Sequence, residues 1–460
     1  MVQTGTMRTV EEHRREVTAL VGRISASLGS ERLSLTADAL TRDPAAYLHR
    51  VLASDLAAPS SLPSFDNSQM DGYAVRAADL DGASSDSPVV LAVAPRVAAG
   101  DPFASHSPGT ATPVMTGAPI PSGADAVVQI ERADPPSFPL DRAAAVADTD
   151  ADAGTDTDAS TDTATTAADT ATAPPAQHTV AFASSIEPGT FVRRAGSDIA
   201  EGQVLLTAGT LLGPAQYGVI AGTGAASVSV LRRPRVLLVS TGHEIRDAGT
   251  SLAPGQIYDA NTVSLTTALQ SIGCAVRAIP CRSDDADDLL AILSSEAGTA
   301  DLFVTVGGVS AGAREVVRDA LEMRGVRFVK VAMQPGGPQG FGLARIDSTE
   351  VPVVSLPGNP VSALVSFEAF LRPAVLAALG TTPSTRELRR GRAAHPFSSP
   401  AGSHQLRRGI VQDDGSLDLI GGPSSHLLHA YARSSVLVHV PVGTSEVAAG
   451  DELDYWRIDG

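Results

Sequence analysis

Four short stretches combine glycine, hydroxyl and acidic residues in a way that could do chemistry. They are STGHEI at Ser240–Ile245, GQIYDANT at Gly255–Thr262, GGVSAG at Gly307–Gly312 and LPGNP at Leu356–Pro360. Backbone N–H groups in glycine turns and at helix N-termini lack internal partners and sit at the positive end of a helix dipole, so such loops bind anions. Each loop alone has a plain reading: GGVSAG as a strand-to-helix turn, LPGNP as a proline-fixed turn, Asp259 as a helix cap and Glu244 as a solvated carboxylate. Together they point to one site, with Gly307, Gly308, Ser310, Gly312, Pro357, Gly358, Asn359 and Pro360 shaping it. Glu244, Asp259 and Glu315 would repel an anion there unless Mg²⁺ bridges them, because Mg²⁺ accepts one or two carboxylates together with phosphate oxygens and waters. The chemistry indicated is a phosphorylated or nucleotide ligand held with magnesium.

Two further dense stretches lie upstream, PSFDNSQMDGYA at Pro63–Ala74 and VMTGAPIPSGADAV at Val114–Val127. Neither has an amphipathic period, and both mix small, polar and proline residues as functional loops do.

The elements that must carry the four loops are short β-branched runs alternating with helical stretches. RVLLV, DLFVTV, VRFVKVAM and VPVV read as strands; TVSLTTALQSIG, DDADDLLAILSSE, a segment from about Arg314 and PVSALVSFEAFLRPAVLAAL read as helices. This alternation predicts a parallel α/β sheet with helices on both faces, whose ligands bind at the C-terminal ends of the strands. Upstream, Thr9-Val10-Glu11-Glu12 has capping-box spacing and predicts a helix to about Ser25; a second amphipathic pattern runs from Pro44 to Ala53. Alternating runs up to about Phe182 predict a β-rich module, and the chain after Thr382 predicts a small C-terminal β domain.

Composition narrows the classes further. The chain has 460 residues, and its formal charge of −17 excludes sequence-independent binding to nucleic acid or an anionic membrane outside a local basic patch. Between Asp134 and His178 nine Asp face one Arg, so about half of that charge sits in one Ala/Asp/Thr-rich insertion with no hydrophobic period. The two cysteines, Cys274 and Cys281, form no CxxC or Cys/His cluster, which predicts a reducing compartment and no structural zinc. The N-terminal segment is charged, and no segment approaches roughly 18 uninterrupted apolar residues, so the expectation is a soluble cytoplasmic protein.

SFDNSQMDGYAV, VMTGAPIPSGADAVV, RRAGSDIAEG, STGHEI, GQIYDAN, GGVSAG and LPGNPVSA together resemble the MoeA family of molybdopterin molybdotransferases, which is related to the E domain of gephyrin. The resemblance runs from the first helix to the C-terminal β domain, the acidic insertion excepted. It implies an elongated, L-shaped homodimer. Each subunit would have an extended domain (1–70 and 183–232), a β-rich module (71–182), an α/β molybdopterin-binding-like domain (233–380) and a C-terminal β-barrel (381–460). It also implies the reaction, in which adenylylated molybdopterin binds, Mg²⁺ assists, molybdenum passes from molybdate to the dithiolene sulfurs, and AMP leaves. By motif, Asp71 and Thr116 match active-site residues contributed by the partner subunit. Asp198, Glu244 and Lys330 match further catalytic positions, Asp259 and Glu315 the metal-binding acids, and Ser425 is a looser match in the barrel. Molybdopterin adenylyltransferase and molybdoenzyme maturation proteins are the implied partners.

Three departures stand out. Glu315 replaces an Asp common in the family, and Gln334-Pro335-Gly336-Gly337-Pro338 replaces KPGKP, removing two cations. Arg314 stands where a small or acidic residue is common and would restore one charge. Two other activities would use the same ligand: a non-catalytic molybdopterin-binding scaffold, and adenylylation of molybdopterin by the α/β domain. The intact MDGYA and MTGAP stretches favour the molybdotransferase over the adenylyltransferase, and the intact acidic set favours it over the scaffold.

Overall fold

A computed structural model describes residues 7–139, 178–309 and 315–459. The chain forms two compact units. One comprises residues 57–205 with 222–224, and the other the remainder. Most of the acidic insertion, and Ser310, Gly312 and Arg314, lie outside the described residues.

The unit of residues 57–205 is built on a six-stranded sheet. Strands β1 (Gly72–Val75), β2 (Val89–Val93), β3 (Thr110–Val114), β4 (Ala126–Gln129) and β5 (Thr179–Phe182) lie in the order β4-β1-β3-β2-β5, with Ala133–Asp134 on the edge. Tyr73, Leu80, Val128 and Phe182 fill its core. The segments around Asn67 and Val192 pair antiparallel within this unit, so it reaches beyond 71–182 into residues expected in the extended domain.

The other unit begins with helix α1 (Val10–Val21) and its expected capping box, in which Glu12 N–H donates to Thr9 Oγ1 at 3.1 Å and Thr9 N–H to Glu12 Oε2 at 2.9 Å. A tighter turn carries the chain on to Ser27. Val17 and Val21 are buried in the same core as the α/β sheet, so α1 is a layer of that domain. The helix expected over Pro44–Ala53 is only a single turn, Pro44–Tyr47; Arg50–Val51 pairs as a strand with Leu211–Leu212. The apolar pattern there is too short to outweigh that pairing.

The central sheet contains β6 (Arg235–Ser240), β7 (Ala275–Ala278), β8 (Leu302–Val306), β9 (Val326–Lys330), β10 (Pro338–Ile346) and β11 (Thr349–Leu356), in the order β7-β6-β8-β11-β10-β9. The first four in that order are parallel; β10 runs antiparallel to both of its neighbours, β11 and β9, so the sheet is mixed and β9 resumes the direction of the parallel strands. The strand β10 is absent from the sequence reading because its glycines, Gly340 and Gly342, break the β-branched run. Alternate residues face opposite cores: Val236, Leu238, Val304 and Val354 on one side, Leu237, Val239, Phe303 and Val353 on the other. The helices α2 (Ala260–Gln270) and α5 (Pro360–Ala378) cover the first face, and α3 (Ala286–Glu296) and α4 (Val316–Leu321) the second. Burial on both faces explains why β6, β8 and β11 are nearly continuous apolar runs. The helix α5 is long and apolar enough to cross a membrane by composition, yet 78% of it is buried in the fold.

The C-terminal strands β12 (Arg389–Ala393), β13 (His404–Val411), β14 (Ser416–Leu419), β15 (Val436–Val440) and β16 (Glu452–Arg457) follow the order β13-β14-β12-β16-β15, and β15 pairs back onto β13 to close a barrel. A two-residue strand, Met333–Gln334, leaves the α/β sheet and pairs with β13, tying the barrel to the loop after β9.

Candidate functional site

The parallel strands β6, β8 and β11 end on one rim, and the loops leaving them line a cavity of about 1000 Å³. All four loops marked in the sequence contribute: Ser240–Ile245, Ile257–Asn261, Gly307–Val309 and Pro357–Pro360. Pro423–Ser425 from the barrel and Gln334–Gly336 complete the wall.

Close packing of loop on loop requires glycine at one point and leaves little room for a side chain at a second. Gly307 has φ of +96°, and a Cβ there would meet Thr241 Oγ1 at 2.8 Å and Thr241 O at 2.9 Å. A Cβ on Gly358 would sit 3.2 Å from Gly307 Cα. The loops are held together by Thr241 N–H donating to Val306 O at 2.9 Å and Gly307 N–H to Leu356 O at 3.0 Å. Asn261 Nδ2 donates to Gly358 O at 2.7 Å, and Asn359 Nδ2 to Ser425 Oγ at 2.9 Å. Ser425, a loose match by sequence, is thereby joined to the LPGNP loop.

Two helix N-termini open on this cavity, those of α2 and α5. Among the described residues the N–H groups of Gly308, Gly358 and Asn359 have no protein acceptor, leaving them available to an anion. Asp259 is the N-cap of α2: Oδ1 accepts from Thr262 N–H at 2.9 Å and Oδ2 from Thr262 Oγ1 at 2.7 Å. Cap and cavity roles coincide, because a carboxylate keeps lone pairs beyond those two bonds. Glu244, Asp259, Asp284 and Glu315 all lie on the wall. Among the described residues no three acidic, His or Cys side chains are grouped to hold a metal ion. The donor set therefore fits Mg²⁺ in company with phosphate oxygens of a ligand, and does not form a cage of its own.

Asp284 and His243 were missed in the sequence. Asp284 sits in the acidic run SDDADD, where capping and site carboxylates look alike, and its Oδ2 lies 3.0 Å from His243 Nδ1. Lys330 ends β9 with its side chain exposed and is not on the cavity wall, although its register partner Pro338 is.

Asp71 and Thr116 belong to the unit of residues 57–205, where the fold brings them together. Asp71 Oδ1 accepts from Thr116 N–H at 2.6 Å and from Thr116 Oγ1 at 2.8 Å, and both residues are exposed. Asp198 is exposed in a turn of the same unit, held by its N–H to Leu62 O at 3.0 Å, and bonds to neither. Both cysteines are buried and free; burial pushes the Cys274 thiol up to about 12 and also raises that of Cys281, which disfavours a thiolate at either.

Comparison with known proteins gives one answer along the whole chain. Residues 8–224 match the MoeA N-terminal region (domain I and II), 238–377 a family described as "Probable molybdopterin binding domain", and 390–458 the MoeA C-terminal region (domain IV). Molybdopterin molybdenumtransferase 2 of Mycobacterium tuberculosis is 41% identical over 417 residues, covering 89% of this chain and 92% of that protein. Molybdopterin molybdenumtransferase of Haemophilus influenzae is 30% identical over 412 residues, covering 88% and 90%. A crystal structure of a molybdopterin biosynthesis MoeA protein from Pyrococcus horikoshii matches with a TM-score of 0.72 at 26% identity, over 99% of this chain and 100% of that one.

Proposed function

The chain belongs to the MoeA family, and we propose that it is a molybdopterin molybdotransferase that inserts molybdenum from molybdate into adenylylated molybdopterin and releases AMP. The observation that supports this most directly is the cavity itself, where four separate loops and two helix N-termini meet and the N–H groups of Gly308, Gly358 and Asn359 find no acceptor among the described residues, beside carboxylates. A nucleotide with charged phosphates needs the first, and a reaction that moves protons needs the second.

Formation of two Mo–S bonds consumes two thiols and one molybdate oxygen, which leaves as water with the two thiol protons. Release of AMP requires cleavage of a P–O bond of the phosphoanhydride by water. The N–H groups of Gly308, Gly358 and Asn359 are placed to hold phosphate oxygens, and the dipoles of α2 and α5 stabilise charge growing on them. Asp259 and Glu315 would hold Mg²⁺, which when bound neutralises phosphate charge. Glu244 and Asp284 are the wall carboxylates left to accept protons.

In this reading the protein is a cytoplasmic homodimer, and the exposed Asp71–Thr116 pair of one subunit completes the cavity of the other. The test is reconstitution. Purified chain, adenylylated molybdopterin, Mg²⁺ and molybdate should yield cofactor that activates an apo-molybdoenzyme, and Asp259→Asn should weaken the Mg²⁺ dependence. Tight nucleotide binding without cofactor would instead favour a scaffold.

A further inference from the structure

Gln334 stands on the cavity wall, and its Oε1 accepts from Gln405 Nε2 at 2.7 Å. Gln405 is only 1% exposed, and its own Oε1 accepts from Arg407 Nη1 at 3.3 Å. Arg407 is itself buried, with its guanidinium 5.3 Å from the centre of the Phe397 ring.

This chain of three side chains has a fixed polarity. A guanidinium carries donors only, so Gln405 must turn its carbonyl towards Arg407 and its NH₂ towards Gln334. Gln334 must then turn its carbonyl inward. Flipping either amide would set N–H against N–H in a buried place, leaving donors unsatisfied. What remains for the cavity is the NH₂ group of Gln334.

The position of that group indicates what it meets. A Cβ on the neighbouring Gly336 would lie 2.9 Å from Ser366 Oγ and 3.4 Å from Ser362 O, so the turn after Gln334 rests on the first turns of α5. An anion drawn to that helix N-terminus lies beside it.

We propose that Gln334 is a specificity residue that donates an uncharged hydrogen bond to a phosphate oxygen of the bound ligand, with Gln405 and Arg407 as positioning residues that set its orientation. The proposal rests on the reading of the cavity as a nucleotide site. It gives the site a directional donor that adds no net charge, so the contact resists salt better than an exposed cation would.

Calorimetric titration of the full chain with AMP tests it. In Gln405→Glu the new carboxylate still accepts from Arg407 but has no N–H, so Gln334 swings its NH₂ inward and shows its oxygen to the phosphate. Affinity should fall about tenfold. Gln334→Ala should weaken binding several-fold, and adding Gln405→Glu to it should have no further effect. Gln405→Leu, which frees the amide without reversing it, should give a smaller loss that also vanishes in the Gln334→Ala background; it serves if the Glu variant does not fold. Equal losses in both backgrounds, or no loss at all, would overturn the relay. A wild-type chain that binds no AMP overturns the nucleotide-site reading and the relay with it, whereas binding with additive variants overturns the relay alone.

Discussion

The α/β region and the β-rich unit both carry motif residues, but they hold them differently. In the first, residues from Ser240 to Ser425 converge because parallel strands must end on one rim, and the outcome is an open-mouthed cavity with two helix N-termini on its wall. In the second, Asp71 and Thr116 meet through a local strand pairing and stay exposed. In the function proposed above, the first arrangement binds the ligand and the second offers a group to a ligand bound elsewhere. Binding and turnover should therefore separate by mutation.

The largest effect should come from breaking the convergence itself. Gly307→Val places a side chain on Thr241 at a left-handed backbone position, and should cost about 3 kcal/mol of stability with loss of activity, read by thermal melting and turnover. Asp71→Asn should leave AMP affinity unchanged while turnover falls about 100-fold. Mixed with Glu244→Gln, it should recover about a quarter of wild-type activity if subunits of a homodimer share sites, since half of randomly mixed dimers carry one intact site. Equal loss of AMP affinity in Asp71→Asn would erase the contrast between the regions.

A smaller effect belongs to the frame under the cavity. Asp301 accepts from Arg235 N–H and Nη2, both at 2.8 Å. Burial pushes its carboxyl up, but Arg235, through its side chain and backbone, and Arg232 outweigh this and hold it below the ordinary 3.8. Its contribution is therefore complete above that value and is lost as pH falls through the lowered one. Asp301→Asn should destabilise the chain by about 2 kcal/mol at neutral pH and flatten its acid unfolding, without changing AMP affinity.

The smallest effect is expected at His13, buried between Phe341 and Phe370 with neither ring nitrogen hydrogen-bonded among the described residues. Burial, with Arg8 nearby, lowers its pKa from 6.5 to about 3, so it is neutral when folded. Stability from this site is full above 6.5 and declines as pH falls towards 3. His13→Leu should remove that slope with little change at neutral pH, measured by denaturation across the window.

Much of the site was legible because its loops are local: glycine, proline and capping residues mark strand ends wherever they occur. Buried parallel strands were equally legible, since burial on both faces makes RVLLV and LFVTV uniformly apolar. The hairpin of β10 and β11 was not, because strand direction is a property of pairing and Gly340 and Gly342 hide the strand. Asp284 was hidden among acidic neighbours. Gln334 and Gln405 stand 71 residues apart, and only the register of Met333–Gln334 on β13 brings them together. No periodicity encodes such a contact.

The most direct measurement is the amount of AMP released per molybdenum bound when molybdate is added to purified chain loaded with adenylylated molybdopterin and Mg²⁺. The two amounts should be equal and rise together. Nucleotide that stays bound and intact while molybdate is present would contradict it.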